Sequence, residues 1–146
     1  MPHLSLPISP GGPILDCFNG VSNARAEALR RANQAVPVPI QVRALVDTGA
    51  SCTGIDPSIL STLGIVSTGT TQVHTPSTTS GQPHVANQFD VSLILNHPMI
   101  SRTFMAVPVI ESALLHQGIQ ALISRDILAF CLLTYDGQAG IFCLGF

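Results

Sequence analysis

The sequence contains no lysine and no tryptophan, has a single tyrosine, and draws only 10% of its residues from the charged types. Six arginines against eight acids leave a formal net charge of -2. No basic field is available to attract nucleic acid or anionic lipid, and no stripe of aromatics and cations appears, so nucleic acid is not an expected partner. The four cysteines, Cys17, Cys52, Cys131 and Cys143, form no C-x-x-C pair and have no histidine at metal spacing, which argues against zinc and leaves no cofactor implied. No apolar run approaches the ~18 residues that a bilayer span needs. The opening MPHLSLPISPGGP lacks a basic n-region and holds too many prolines for a secretory signal. The chain therefore reads as cytoplasmic, with no membrane partner and with free, mostly buried thiols. A Cys131–Cys143 bridge stays open on the residues alone, because both fall in what reads as a hairpin.

Against this scarcity of charge stands an apolar content of 46% and a mean hydropathy of +0.43. At 146 residues the natural reading is one domain, 1–146. So much apolar surface implies a partner that covers part of it. Turn formers recur at short intervals between segments rich in Val, Ile, Leu, Thr and Phe, the pattern of an all-β domain. The exception is SNARAEALRRANQA, 22–35, where Ser22 or Asn23 caps a helix that places Ala24, Ala28, Leu29 and Ala32 on one face. Pro37 and Pro39 stop it. Strands are expected at 13–18 and 40–46 on either side of this inserted helix. A helical turn follows at 57–63, with Gly64 as a left-handed cap. Strands at 72–75 and 84–95 flank the polar connector PSTTSGQP. Further strands fall at 102–109 and 119–123, then SRDILAF as a short helix capped by Ser124, and a terminal hairpin through Asp136-Gly137. Its last strand, IFCLGF, reads as an apolar edge open to another chain.

One short stretch concentrates the chemistry. In ALVDTGASC, 44–52, a carboxylate follows an apolar strand and precedes a glycine turn. Asp47 is either a turn-capping acid bonded to its own backbone or a working acid, and the residues alone leave both open. No G-x-S-x-G elbow supports a serine nucleophile. Asp56, Asp90 and Asp136 read as turn or solvated acids. His3, His97 and His116 read as surface residues, and His74 and His84 as an exposed hairpin pair or, more remotely, a metal-binding pair.

The ordered set of an apolar strand, Asp47-Thr48-Gly49-Ala50, a polar hairpin, ALISRD at 121–126 and a terminal hairpin resembles the retropepsin-like aspartic proteases, from about Pro13 to the C-terminus. The resemblance implies a closed acid-protease barrel with a flap hairpin, an inserted helix at about 22–35 and a short C-terminal helix. It makes Asp47 the catalytic aspartate, Thr48 the hydroxyl that bonds across a dimer axis, and Gly49 the turn residue whose amide faces the carboxylates. It makes 73–85 the flap, so Ala50, Ser51, Thr75, Pro76, Ser77, Thr78, Thr79, Ser80 and Gly81 would meet an extended peptide. Ser124, Arg125 and Asp126 would support the site from below, the last two through a helix cap and an ion pair. The family commonly places glycine at the position of Ser124, which questions the packing of that turn. Viral members share the alanine after Gly49, whereas two-lobed relatives commonly carry a hydroxyl there, so weakly acidic activity is expected. With one Asp-Thr-Gly in the chain, the resemblance implies a homodimeric endopeptidase. A catalytically silent peptide-binding or dimerisation module on the same fold is the alternative.

Overall fold

Alternation of apolar and polar residues sets the inward face of the long strands. In β3, Ile40–Val46, the buried residues are Val42, Ala44 and Val46. In β6, His84–Leu95, Val91, Leu93 and Leu95 are fully buried. A period of two leaves one face for the core and the other for water. The computed structural model describes residues 1–75 and 81–146.

The remaining strands are β1 (His3–Pro7), β2 (Ile14–Val21), β4 (Gly54–Ile55), β5 (Gly69–Val73), β7 (Arg102–Glu111), β8 (Ala121–Ile123), β9 (Leu132–Asp136) and β10 (Ile141–Gly145). The large sheet runs β2-β3-β8-β4-β7-β6-β5, and β6 also pairs with β2. That second pairing, from Phe18 opposite Ile94 to Val21 opposite Val91, closes six strands into a barrel. Closure removes the open edges of those strands. β5 hangs outside the ring on the outer half of β6, with Val73 opposite His84. The expected all-β, retropepsin-like barrel with a flap hairpin is the fold observed.

The three-stranded sheet departs from expectation. It runs β1-β10-β9, so the apolar strand of IFCLGF is central and paired on both sides. Phe142 and Leu144 are completely buried. The strand was expected to be an open edge because residues 3–7 were not read as a strand. Proline at positions 2, 7 and 10 hid the alternation of Leu4 and Leu6, yet proline is tolerated at strand ends. The possible Cys131–Cys143 bridge is absent. Cys143 faces Thr134 and lies 3.1 Å from the Ser5 hydroxyl. All four cysteines are free, and only Cys17 is buried; burial, with Asp16 nearby, pushes its thiol pKa up to about 12.

Helix α1 spans Asn23–Arg31, capped by Ser22 through the Arg25 amide. It stops short of Ala35 because Asn33 turns left-handed, at a φ of 55°. The amides of Asn33 and Gln34 then bond back to the Arg30 and Leu29 carbonyls, a Schellman closure with asparagine in place of glycine. Its buried residues are Ala26 and Leu29; of the expected face Ala24, Ala28, Leu29 and Ala32, only Leu29 is buried. Helix α2, Pro57–Thr62, starts at Asp56 and closes at Gly64, whose φ of 63° is the expected left-handed cap.

Asp56 is not a solvated acid. It is 4% exposed and accepts from the Ser58 amide and hydroxyl and from the amides of Leu114 and Leu115. Burial pushes its pKa up, but the Leu114 amide and then the Ser58 and Leu115 donors outweigh it and hold the group below its ordinary 3.8. A carboxyl whose pKa is depressed on folding stabilises the protein above its unfolded value, and that contribution is lost as pH falls through the folded one. Asp56→Ala is expected to cost about 1–3 kcal/mol at neutral pH. In urea titrations the gap between variant and wild type should narrow on acidification below about pH 4.

Candidate active site

β3 and β4 both pair with β8, one parallel and the other antiparallel. The segment between them, residues 47–53, must therefore cross the end of β8. Val46 pairs with Ile123, and the Asp47 amide bonds to the Ile123 carbonyl at 2.9 Å. The acid thus begins where the ladder stops. Its Oδ1 accepts from the Gly49 amide at 2.8 Å. A Cβ on Gly49 would stand 3.2 Å from that oxygen, tighter than ordinary contact, so glycine lets the backbone close on the carboxylate. Asp47 is half-buried, while Thr48 is exposed.

Below the loop, buried Thr53 donates from its amide to Asp126 Oδ2 at 2.9 Å and from its hydroxyl to Asp126 Oδ1 at 2.7 Å. Asp126 Oδ1 also accepts from the Ile127 amide. The Ser124 amide donates to Thr53 Oγ1 at 3.3 Å. Arg125 reaches the Ala50 carbonyl twice, from its backbone amide at 3.1 Å and from Nε at 3.2 Å. Helix α3, Arg125–Leu128, is therefore stitched to the middle of the acidic loop at Ala50 and to its end at Thr53. The ion pair expected between Arg125 and Asp126 does not form, because Asp126 is satisfied by Thr53 and its own helix. Ser124 does not cap α3 through its side chain. Its backbone is extended, at a φ of -107°, which any residue adopts. Its hydroxyl is fully buried without a partner.

Thr53 is the residue that sequence reading missed. Its only signal was a lone hydroxyl between Cys52 and the apolar pair Gly54-Ile55, and its partner lies 73 residues away. No local pattern reports that contact.

The loop opens into a cavity of about 670 Å³ between the acid and the β5–β6 hairpin. Asp47, Gly49, Ala50, Ser51 and Thr75 line it, together with Arg125. Val73 and His74 of the expected flap complete much of the wall together with Cys52, Gln72, Gln88, Ile110 and Leu122, which had no site role assigned from the sequence. Gly81 sits in an exposed turn at a φ of 87° and does not line the cavity. Pro76, Ser77, Thr78, Thr79 and Ser80 lie outside the described residues. His84 registers opposite Val73, so His74 and His84 are offset rather than face to face. A smaller groove of about 320 Å³ runs between Pro2, Ile100 to Thr103, and Phe146; its described lining holds no acidic side chain.

The cavity also contains a thiol. Burial raises the pKa of Cys52, the charge of Asp126 adds to the rise, and a backbone bond at Ile110 only partly opposes it. A nucleophilic cysteine needs the opposite shift. That leaves the Asp47 carboxylate, with its Gly49 amide donor, as the candidate group for chemistry in the cavity.

Residues 31–126 match the family model described as aspartyl protease. The structure is similar to the crystal structure of a retropepsin-like aspartic protease from Rickettsia conorii, with a TM-score of 0.61 and 16% sequence identity, covering 99% of this chain and 91% of that one. No curated protein matches the sequence.

Thr53→Val keeps the side-chain shape, removes the hydroxyl and leaves one Asp126 oxygen short of a donor. We expect a loss of about 1–3 kcal/mol in denaturant unfolding. Thr53→Ser, which retains the donor, should recover most of that loss.

Proposed function

Because the chain belongs to the aspartyl protease family, we propose that it is a homodimeric endopeptidase whose single active site takes one Asp47 from each subunit. The carrying observation is the Asp47 carboxylate, held by the Gly49 amide at 2.8 Å, facing a cavity roofed by the β5–β6 hairpin. The barrel supplies one such acid, and the sequence holds one Asp-Thr-Gly. General acid and general base have to act together on water and a peptide carbonyl, so a second acid from a symmetric partner completes the set.

Two carboxylates brought that close cannot both ionise comfortably and share a proton. The ionised member takes a proton from a water held between them, and that oxygen attacks the scissile carbonyl carbon. The protonated member donates to the carbonyl oxygen as the tetrahedral species forms. Proton transfer to the departing nitrogen then breaks the C–N bond. The Gly49 amide keeps its carboxylate oriented through the cycle, while exposed Thr48 is available for a bond across the two-fold axis. A closing hairpin excludes water and pairs with an extended peptide backbone.

Ala50 offers no hydroxyl to the carboxylate. On this reading weakly acidic activity is expected. Ser124, whose departure from glycine invited a silent binding module, sits on extended backbone that accommodates a side chain. The turn therefore needs no glycine for its backbone conformation, which supports the working-site reading.

The test is cleavage of a diverse peptide mixture from about pH 3.5 to 7, read by mass spectrometry at micromolar protein. Asp47→Asn should reduce cutting at least about 100-fold while leaving dimerisation intact in sedimentation. A demonstrated dimer with no Asp47-dependent cutting would favour the peptide-binding module instead.

A further inference from the structure

Two fixed charges border the cavity, and they are of opposite sign. Asp47 lies in the loop and Arg125 at the start of α3, and among the described residues the rest of the lining is neutral or histidine. Residues 76–81, PSTTSG in the sequence, carry no charge. Arg125 is exposed. Its backbone amide and Nε are both tied to the Ala50 carbonyl, at 3.1 and 3.2 Å. That tie fixes where the guanidinium sits and leaves its terminal nitrogens without a carboxylate among the described residues. Neither neighbouring acid bonds to it: Asp126 accepts from Thr53 and Ile127, and Asp47 accepts from Gly49 through Oδ1.

We propose that Arg125 is a specificity-determining residue that selects peptides carrying an acidic side chain at one fixed position away from the scissile bond. The inference rests on the endopeptidase reading and deepens it. A guanidinium held at Nε presents its outer edge as a planar fork, whose geometry matches a carboxylate in a two-point contact. Pinning by Ala50 removes much of the side-chain entropy that makes mobile surface ion pairs weak. The apolar wall of Ile110, Leu122 and Val73 takes the neighbouring side chains of an extended peptide, which alternate in direction along the strand. Lysine or arginine at the Arg125 position is disfavoured by like-charge repulsion.

A series of peptides sharing one cleaved core, with Glu, Gln or Lys substituted at each position in turn, tests the inference by kcat/KM. At one position Glu should exceed Gln by about three- to tenfold and Lys should fall below Gln. The Glu advantage should shrink toward unity in about 0.5 M NaCl, where exposed charges are screened. Arg125→Glu should reverse the order at that same position to favour Lys, with thermal unfolding used to establish that the variant is folded. If that variant fails to fold, the salt dependence of the wild-type Glu-to-Gln ratio carries the test. Equal ratios at every position, with Asp47-dependent cutting intact, would overturn the role of Arg125 and leave the protease reading standing. Absence of Asp47-dependent cutting would overturn the protease reading itself.

Discussion

The structure depends on β8. This three-residue strand, Ala121–Ile123, receives β3 on one side and β4 on the other, so the loop joining those strands has one route, across its end. Asp47 is where it is because the Ile123 carbonyl accepts its amide. Ser124, Arg125 and Asp126 follow immediately, and each bonds to that loop or to the threonine that ends it. Support for the acid is therefore encoded in six consecutive residues, 121–126, far from it in sequence. A displacement of β8 would move the acid, its supporting carboxylate and the cavity's cation together.

That dependence explains what the sequence disclosed. Elements built on local rules were legible: the Ser22 cap, the Gly64 turn, the alternation of β3 and β6, and the apolar-strand, acid, glycine sequence around Asp47. The hairpin over the cavity was legible because a polar connector between two alternating runs has few other structures open to it. What failed to show was set by distant contact. Thr53 carries no local signature, the β1 strand is hidden among prolines, and the central place of β10 follows from β1. Arg125 and Asp126 bond to the loop through Ala50 and Thr53, but the ion pair expected between them rested on opposite signs alone. The buried Thr53 donors captured Asp126 first.

The scarcity of charge noted in the sequence becomes a structural rule at the acids. Asp47, Asp56, Asp126 and Asp136 each accept hydrogen bonds from backbone amides, joined at Asp56 and Asp126 by hydroxyls. Amide and hydroxyl donors hold a carboxylate in a half-dry site without the desolvation penalty of a second buried ion. They also fix its direction, since a main-chain donor cannot rotate away as a long cationic side chain does.

The same rule leaves the arginines without acids to serve. Arg102 lies 5.0 Å from the Phe104 ring centroid and 5.6 Å from that of Phe130, and bonds to the Phe130 carbonyl, so aromatic faces and a main-chain oxygen hold it. Three others, Arg25, Arg30 and Arg31, ride on α1, and Arg43 points outward from β3. Arg125 alone among them lines the cavity. It shares that lining with one carboxylate, Asp47, and among the described residues with no second arginine, so the direction it presents is set by the two bonds that fix it to Ala50.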